Sequence, residues 1–359
     1  MKKILVFTFG KNENQTNKIR RIFITGGHFT PAKAVISHLN NWEIFYIGRK
    51  YAMEGEKAEA LEFMELSNLS NLRYLSILTG RLQRKFFVNI KQSIFALLKT
   101  PIGLIQSLVW IILYKPNVVL SFGGYVAVPV VVAAWLLDIP IITHEQTQGM
   151  GLANKIISLL ANKVLKGSIL RKEVIEAKVT QTETIFVTGG SQGSHVINIA
   201  VEEIIGKLVK KFKVIHQMGD SSFNDFERAK KIKGYLPSKF LTGEEQAKAM
   251  SSAKIIISRA GANTLAEIAY FGKPAILIPI PWASAAEQEK NAQVLADLKM
   301  ALVIAQSDLS GKTLLNAIEK IDKNYDLYLE NAKKGKSIVN PDAAKEIVEE
   351  INVILERVK

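Results

Sequence analysis

The sequence predicts an α/β protein built from two doubly wound parallel-sheet domains, and three observations carry that prediction. Short β-branched runs alternate with longer amphipathic stretches, the rhythm of βαβ units around a parallel sheet. The rhythm pauses in a polar stretch, "KGSILRKEVIEAKVTQTE" at 166–183, and then restarts. The phrase that opens it is written twice, "IFITGGH" at 22–28 and "IFVTGGS" at 185–191, each time a strand-like run broken by a glycine pair.

In order, the first half offers strands "RIFIT" (21–25), "EIFYIG" (43–48), "NVVLSFG" (117–123) and "IPIITHE" (139–145), with helices at 31–40, 54–66, 126–137 and 151–161. The second offers strands "TIFVTGG" (184–190), "KVIHQMG" (213–219), "KFLTG" (239–243), "KIIISRAG" (254–261) and "PAILIPI" (274–280), with helices at 194–211, 223–231, 244–252, 264–271 and 285–299. β-Branched and aromatic residues mark the strands, and Gly or Pro punctuates their ends. A final helix covers 340–357 and is able to pack on either half. The expected division is a first domain at 1–165, a linker at 166–183, a second domain at 184–338 and a closing segment at 339–359.

A chain of 359 residues fits two domains of ordinary size, and 48% hydrophobic against 22% charged residues supports sizeable cores. With 47 Lys and Arg against 33 Asp and Glu, the net charge of +14 calls for an anionic partner: nucleic acid, a membrane surface or a phosphorylated substrate. No cysteine is present, which excludes disulfides, thiolate metal sites and thiol catalysis. The opening "MKKILVFTFGKNENQ" lacks a small-residue cleavage site and is expected to be an extra strand or an ordering tail. The apolar stretches at 101–114 and 126–142 are too short to span a bilayer.

Both glycine turns are expected at a strand end opening into a helix. Glycine permits the tight turn and lets backbone N–H groups and the helix dipole approach an anion, although a plain turn needing positive φ has the same spelling. "GGSQGS" at 189–194 adds the Ser191 and Ser194 hydroxyls. Neither turn is a P-loop or a full GxGxxG fingerprint. His28 follows the first pair, either as a general base or as a helix-capping residue. "THEQT" at 143–147 ends another strand, and alternation sends His144 and Gln146 one way and Glu145 the other. In "SRAGANTLAEIAYFGKP" (258–274), Thr264 and Glu267 have capping-box spacing, and a ribose-binding carboxylate is the functional alternative for Glu267. Gln288 and Asn291 share one helix face, available to a ligand or merely solvated. No cluster has metal-ligand spacing, so neither metal nor other cofactor is expected. The stretch 79–116, with Leu78 just before it, mixes Arg81, Arg84, Lys85 and Lys91 with Leu82, Phe86, Phe87, Ile90 and Phe95. It suits either an anionic membrane interface or a core helix with a basic solvated side. A nucleic-acid reader would need basic and aromatic residues interleaved on a platform, or a reading helix, and the chain shows neither.

Taken together, "TGGHFTPAKAV" (25–35), "SFGGYVAVPVVVAAWLLDIPIITHEQ" (121–146), "GLANK" (151–155), "VTGGSQGSHVIN" (187–198), "SRAGANTLAEIAYFGKPAILIPIP" (258–281) and Q-x-x-N at 288–291 resemble the MurG family. Those are the UDP-N-acetylglucosamine:lipid I N-acetylglucosaminyltransferases of peptidoglycan synthesis. The resemblance implies a GT-B architecture of two Rossmann-like domains facing a cleft, with the last helix returning to the first. It implies an inverting, metal-independent transfer to the C4 hydroxyl of a muramyl sugar on a polyprenyl-diphosphate acceptor, at the cytoplasmic face of the cell membrane and peripheral to an anionic surface. By matching position, Ser191 and Gln192 would meet the donor diphosphate, Ala262, Asn263, Thr264, Leu265, Ala266 and Glu267 the diphosphate and ribose, and Gln288 and Asn291 the sugar. Arg171 matches a donor-facing arginine of the linker, and the strand end near Thr242 the uracil contact. Thr25, Gly26, Gly27 and His28 match the first domain's loop, the expected acceptor diphosphate site, with His28 as base; Thr25, Gly26, Gly27 and Thr147 also count with the donor contacts. Tyr125, His144 and Glu145 complete the acceptor side.

The chain departs from the family in running Ile22–Ile24 straight into Thr25 without extra glycines, and in reading "HEQT" for HEQN. The alternatives are a related glycolipid synthase, such as a diacylglycerol glucosyltransferase, and a non-catalytic UDP-sugar-binding protein.

Overall fold

A computed structural model describes residues 19–27, 29–51, 59–67, 69, 71–80, 90–146, 151–190, 192–220, 223–283 and 286–357. Two six-stranded parallel sheets organise them. The first comprises β1 (Arg20–Thr25), β2 (Trp42–Gly48), β3 (Leu72–Ser76), β4 (Val118–Ser121), β5 (Ile141–Glu145) and β6 (Lys163–Lys166) in the order β3-β2-β1-β4-β5-β6. The second comprises β7 (Thr184–Thr188), β8 (Lys213–Gln217), β9 (Tyr235–Ser238), β10 (Ile255–Ser258), β11 (Ala275–Leu277) and β12 (Ala301–Val303) in the order β12-β11-β10-β7-β8-β9. Read from its own first strand, each sheet has the same doubly wound order, so the chain reverses direction between β1 and β4 and again between β7 and β10. At those switch points a crevice opens beyond the carboxyl ends of the strands, where ligands bind in such sheets.

Alternation fills both faces. Ile22, Ile24, Ile44, Tyr46, Val118 and Leu120 join one core cluster, and Phe23, Phe45, Ile47 and Val119 the opposite one. Phe186 and Ile256 go to one face of the second sheet, and Ile185, Val187, Ile255 and Ile257 to the other. Burial on both faces is why these strands are continuous apolar runs. The last helix, Ala343–Arg357, contributes Ala344, Ile347, Ile351 and Ile354 to the core containing Ile22 and Ile44.

The elements differ from expectation in instructive places. The strand expected at 239–243 is displaced to β9, an edge strand pairing only with β8, where Pro237 needs no outer partner. Residues 239–242 lead instead into the helix Gly243–Ser252, whose N-cap Thr242 forms a capping box with Glu245. The helix expected at 194–211 is two, His195–Glu202 and Ile205–Leu208. Three edge-zone strands, β3, β6 and β12, were not expected, nor were the helices Gly311–Lys323 and Tyr325–Gly335. A long helix, Ile90–Tyr114, occupies most of the basic apolar stretch.

Candidate functional site

At the first switch point, Thr25 of β1 lies beside Ser121 of β4. The turn that follows is fixed by backbone geometry. Gly26 N–H donates to the Ile47 carbonyl (2.7 Å), and Gly27 adopts φ +155° against the turn after β4. A Cβ on Gly27 would stand 2.1 Å from the Gly123 carbonyl oxygen, so only glycine fits. Gly123 and Gly124, at φ +76° and +77°, are braced in turn. Gly123 N–H donates to Ser121 Oγ (3.1 Å), and Gly124 N–H donates to Asn154 Oδ1 (2.8 Å). The Asn154 amide donates to the buried Glu145 carboxylate. Glu145 thus holds Asn154, which holds the glycine turn. His144 points to the other face, its ring 5.7 Å from that of Phe122.

The second switch point repeats the plan. Thr188 of β7 neighbours Ser258 of β10, and Gly190 N–H donates to Thr188 Oγ1 (3.1 Å) as Gly123 does to Ser121. A Cβ on Gly193, at φ +71°, would lie 1.8 Å from the Met218 carbonyl oxygen, and one on Gly219 would lie 2.2 Å from that of Gln192. Asn198 ties this contact down by donating to Met218 O (3.1 Å) and to the buried Asp225 carboxylate (2.8 Å). Burial works to raise the Asp225 pKa, but hydrogen bonds from Asn198, His195 and Arg228 outweigh it and hold the carboxyl below its ordinary range.

Beside this turn the helix Ala262–Phe271 begins at Gly261 with no side-chain cap. Its first-turn N–H groups are therefore available to a ligand. Leu265 and Ala266 are buried in the core, and Leu265 N–H already donates to Gly261 O (3.0 Å), so the ligand-facing amides are those before them. Glu267 makes no capping box with Thr264. Its two oxygens instead accept Arg171 Nε (2.7 Å) and Nη2 (2.9 Å). The two side chains are 5% and 17% exposed, respectively, a depth at which an unpaired charge is not tolerated. Burial pushes the Glu267 carboxyl up, and the Arg171 charge only partly offsets it. A Cβ on Gly243 would be 3.6 Å from Arg171 Nη1, which places the linker arginine, Glu267 and the turn after Thr242 together. The Thr242 hydroxyl is committed to its cap, accepting from Glu245 N–H (3.2 Å).

Gln288 and Asn291 are half-buried and both make hydrogen bonds to the neighbouring turns. Gln288 Oε1 accepts from Ala260 N–H (3.2 Å) and Ile280 N–H (3.1 Å), and Asn291 Nδ2 donates to Ala260 O (3.4 Å). The pair clamps the turns after β10 and β11 from the helix Glu287–Asp297. Arg259, which sequence reasoning did not single out, sits under the same turns, donating to Ile278 O (3.1 Å) and Gln306 Oε1 (2.8 Å). Burial lowers its pKa. Its motif, "SRAGA", was the available signal.

Thr25, Gly26, Gly27, Tyr125, His144 and Glu145 thus gather at the first switch point, and Gln192, Ala262, Asn263, Thr264, Glu267, Arg171, Thr242, Gln288 and Asn291 around the second. His28, Thr147 and Ser191 lie outside the described residues. Thr25 Oγ1, Gln146 Oε1, Ser194 Oγ, Gln217 Oε1 and Asn263 Oδ1 are buried at these strand and helix ends without a hydrogen-bond partner among the described residues. Buried polar atoms rarely stay unpaired, and a polar ligand would satisfy them. Among the described residues, no group of three or more His, Asp or Glu side chains is arranged to hold a metal ion.

Comparison with known proteins agrees with the doubled plan. Residues 25–166 match the glycosyltransferase family 28 N-terminal domain and residues 184–347 its C-terminal domain. A UDP-N-acetylglucosamine--N-acetylmuramyl-(pentapeptide) pyrophosphoryl-undecaprenol N-acetylglucosamine transferase 2 of Bacillus cereus is 30% identical over 357 residues, covering 89% of this chain and 97% of its own. The transferase of the same name, without the number, from Clostridium perfringens is 31% identical, covering 88% of this chain and 94% of its own. Among solved structures, Acinetobacter baumannii MurG superposes with a TM-score of 0.70 at 25% identity, over 93% of this chain and 99% of its own.

Proposed function

The chain belongs to glycosyltransferase family 28, and from that premise we propose that it transfers N-acetylglucosamine from UDP-N-acetylglucosamine to the C4 hydroxyl of a muramyl sugar on a polyprenyl-diphosphate carrier. The observation that carries the reading is the pairing of two switch-point glycine turns with full-length similarity, near 30% identity, to proteins named for that transfer. In this reading the second switch point takes the donor. The uncapped start of the helix Ala262–Phe271 supplies amides and a positive dipole end to the diphosphate, because Gly190 and Gly193 N–H groups already donate within their own turn (3.1 Å to Thr188 Oγ1 and 3.0 Å to Gly190 O). Glu267 keeps lone pairs free beside its two bonds from Arg171 and accepts from a ribose hydroxyl. Gln192 sits at the diphosphate, and Gln288 offers its Nε2 donor to the sugar.

The acceptor meets the first switch point. Its C4 oxygen attacks the anomeric carbon as the bond from that carbon to the UDP oxygen breaks, inverting the centre. A base takes the hydroxyl proton while the helix amides stabilise the departing diphosphate. His28, next in the chain after Gly27, is the proposed base, worth about 10²- to 10⁴-fold in rate.

The proposed site of action is a membrane surface. Among the described residues no helix is long and apolar enough to cross a membrane. The helix Ile90–Tyr114 is nonetheless apolar on two sides: Leu104, Leu108 and Ile111 pack inward, while Ile102, Ile105, Val109 and Ile112 are exposed. On neighbouring helices Trp135, Leu136, Leu152, Ile156 and Leu159 are exposed too. Exposed apolar residues on three successive packed helices suit a docking face, and with a net charge of +14 the proposed occupant is an anionic bilayer held from one side.

The test is to incubate the purified protein with labelled UDP-N-acetylglucosamine and a short-chain lipid I analogue in detergent, with UDP-glucose and diacylglycerol in parallel. Transfer to the muramyl acceptor is expected. Transfer only to diacylglycerol, or sugar-nucleotide binding without transfer, overturns the reading. Flotation with anionic vesicles, weakened by salt and by Ile105→Glu with Ile112→Glu, is expected for the membrane face; equal flotation with neutral vesicles would refute its charge component.

A further inference from the structure

We propose that Arg49 is the anion-binding residue of the first switch point, holding a diphosphate of the acceptor there; this rests on the transferase reading above. A cavity of about 150 Å³ opens at the first glycine turns, lined by Gly26, Gly27, Gly124, Tyr125, Glu62 and Arg49 among others. Its walls are pressed together by backbone geometry, since a Cβ on Gly124 would come within 3.2 Å of Gly27 Cα. Nothing larger than glycine admits a ligand so close to the backbone.

The amides of these turns are mostly spent. Gly26, Gly123 and Gly124 N–H groups donate to Ile47 O, Ser121 Oγ and Asn154 Oδ1 at 2.7, 3.1 and 2.8 Å. Three amides of the described turns are thus committed to the turns' own shape, and the chain also lacks extra glycines ahead of Thr25. Charge must come from a side chain. Arg49, directly after β2, is the cation among the described lining residues, and its guanidinium lies 5.6 Å above the Tyr125 ring. A cation–π contact of this kind draws the guanidinium to the ring face and leaves its N–H groups available to an oxygen ligand. Among the described residues no carboxylate forms an ion pair with Arg49; Glu62, on the same cavity wall, does not reach it, and the Arg49 carbonyl is occupied separately by the Tyr74 hydroxyl (2.6 Å). A half-buried arginine over a glycine turn, without an ion pair among the described residues, matches the planar, bidentate recognition of phosphate oxygens.

Inorganic pyrophosphate is the probe, titrated calorimetrically into the full chain saturated with UDP so that the donor site is filled. Arg49→Gln is expected to weaken binding by about tenfold to a hundredfold, the range for a hydrogen bond to a charged group. Arg49→Lys should recover part of it, and unchanged urea midpoints show that both variants fold. In turnover, Arg49→Gln should raise KM for the lipid-linked acceptor and leave KM for UDP-N-acetylglucosamine unchanged. Equal pyrophosphate affinity in Arg49→Gln, or no binding by the UDP-saturated parent, overturns the proposal, and a raised donor KM with unchanged acceptor KM assigns the anion to the donor instead. A parent that binds pyrophosphate through Arg49 yet transfers to no acceptor would sink the transferase reading and leave the anion site standing.

Discussion

Removing either partner of the Arg171–Glu267 pair should cost far more than removing both. Two parallel N–H···O bonds of 2.7 and 2.9 Å join them, with the Glu267 side chain 5% exposed. At about 4 Å between charges and an effective dielectric near 20, the attraction is roughly 4 kcal/mol, and a buried charge left without its partner costs about 3–5 kcal/mol. Arg171→Met and Glu267→Leu are each expected to destabilise by about that amount, whereas the double variant should lie within about 1–2 kcal/mol of the parent. The coupling is then several kcal/mol, read by urea denaturation at pH 7 of the four proteins. Proton linkage adds a second signature. Burial already raises the Glu267 pKa, and losing Arg171 raises it further. A carboxyl raised in the folded state binds more protons folded than unfolded above its ordinary pKa, so Arg171→Met should lose stability as pH rises above the ordinary carboxyl range. Single costs below about 1 kcal/mol that add in the double variant, or a pH-independent Arg171→Met, would refute the reasoning.

Gly193→Ala forces a Cβ to 1.8 Å from Met218 O at φ +71°. It should weaken UDP binding at least tenfold while Gly27→Ala, 2.1 Å from Gly123 O, spares UDP and impairs the acceptor; isothermal titration with UDP separates the two. Asn154→Ala removes the support of Gly124 N–H and should cost about 1–3 kcal/mol, with acceptor KM rising; unchanged kinetics and stability would dissociate Asn154 from the turn. His216, fully buried with one ring nitrogen against the Tyr235 hydroxyl, has its pKa lowered to about 3 by burial. A base depressed in the folded state leaves the unfolded chain binding more protons below pH 6.5. Stability should therefore fall by about 1.4 kcal/mol per unit as pH drops from 6.5 toward 3. His216→Phe should flatten that slope in urea midpoints, and an unchanged slope would assign the acid lability elsewhere.

The sequence spells the centre of each sheet and not its edges, for a physical reason. β1, β4, β7 and β10 are buried on both faces, so "IFIT", "VVLS", "TIFVT" and "IIIS" carry unbroken apolar runs ending in a hydroxyl residue and stand out from their surroundings. β3, β6 and β12 are "LRYLS", "KVLK" and "ALV", short and partly solvated, with no period long enough to read. The helix Gly311–Lys323 was legible after all: Ser310 and Thr313 form its capping box, and Leu314, Ala317, Ile318 and Ile321 recur at helical spacing. The site divides the same way. Glycine turns are local and were visible, whereas Asn154 reaching Gly124 across 30 positions and Arg171 reaching Glu267 across 96 have no local trace. The Thr264–Glu267 spacing misled because the helix starts three residues earlier, at Gly261, where no side chain caps it.

In the proposed reading, that uncapped start is what distinguishes the second switch point from the first. Each switch point uses a hydroxyl two residues before a glycine to hold its N–H, Ser121 for Gly123 after β4 in the first and Thr188 for Gly190 after β7 in the second, at 3.1 Å in each. Both therefore spend amides on their own shape, and an anion must be met by something added to the turn. In the second domain the addition is a helix end, the free N–H groups before Leu265 and their dipole, which suits a diphosphate that must leave carrying new negative charge. In the first the proposed addition is a guanidinium, Arg49 over the Tyr125 ring, a charge suited to a diphosphate that is held but never cleaved. On that division, salt should weaken acceptor affinity more steeply than donor affinity, because a half-exposed side-chain charge is screened more than backbone dipoles in a buried turn. Parallel salt slopes for the two KM values would mean that the two turns bind their anions by the same means.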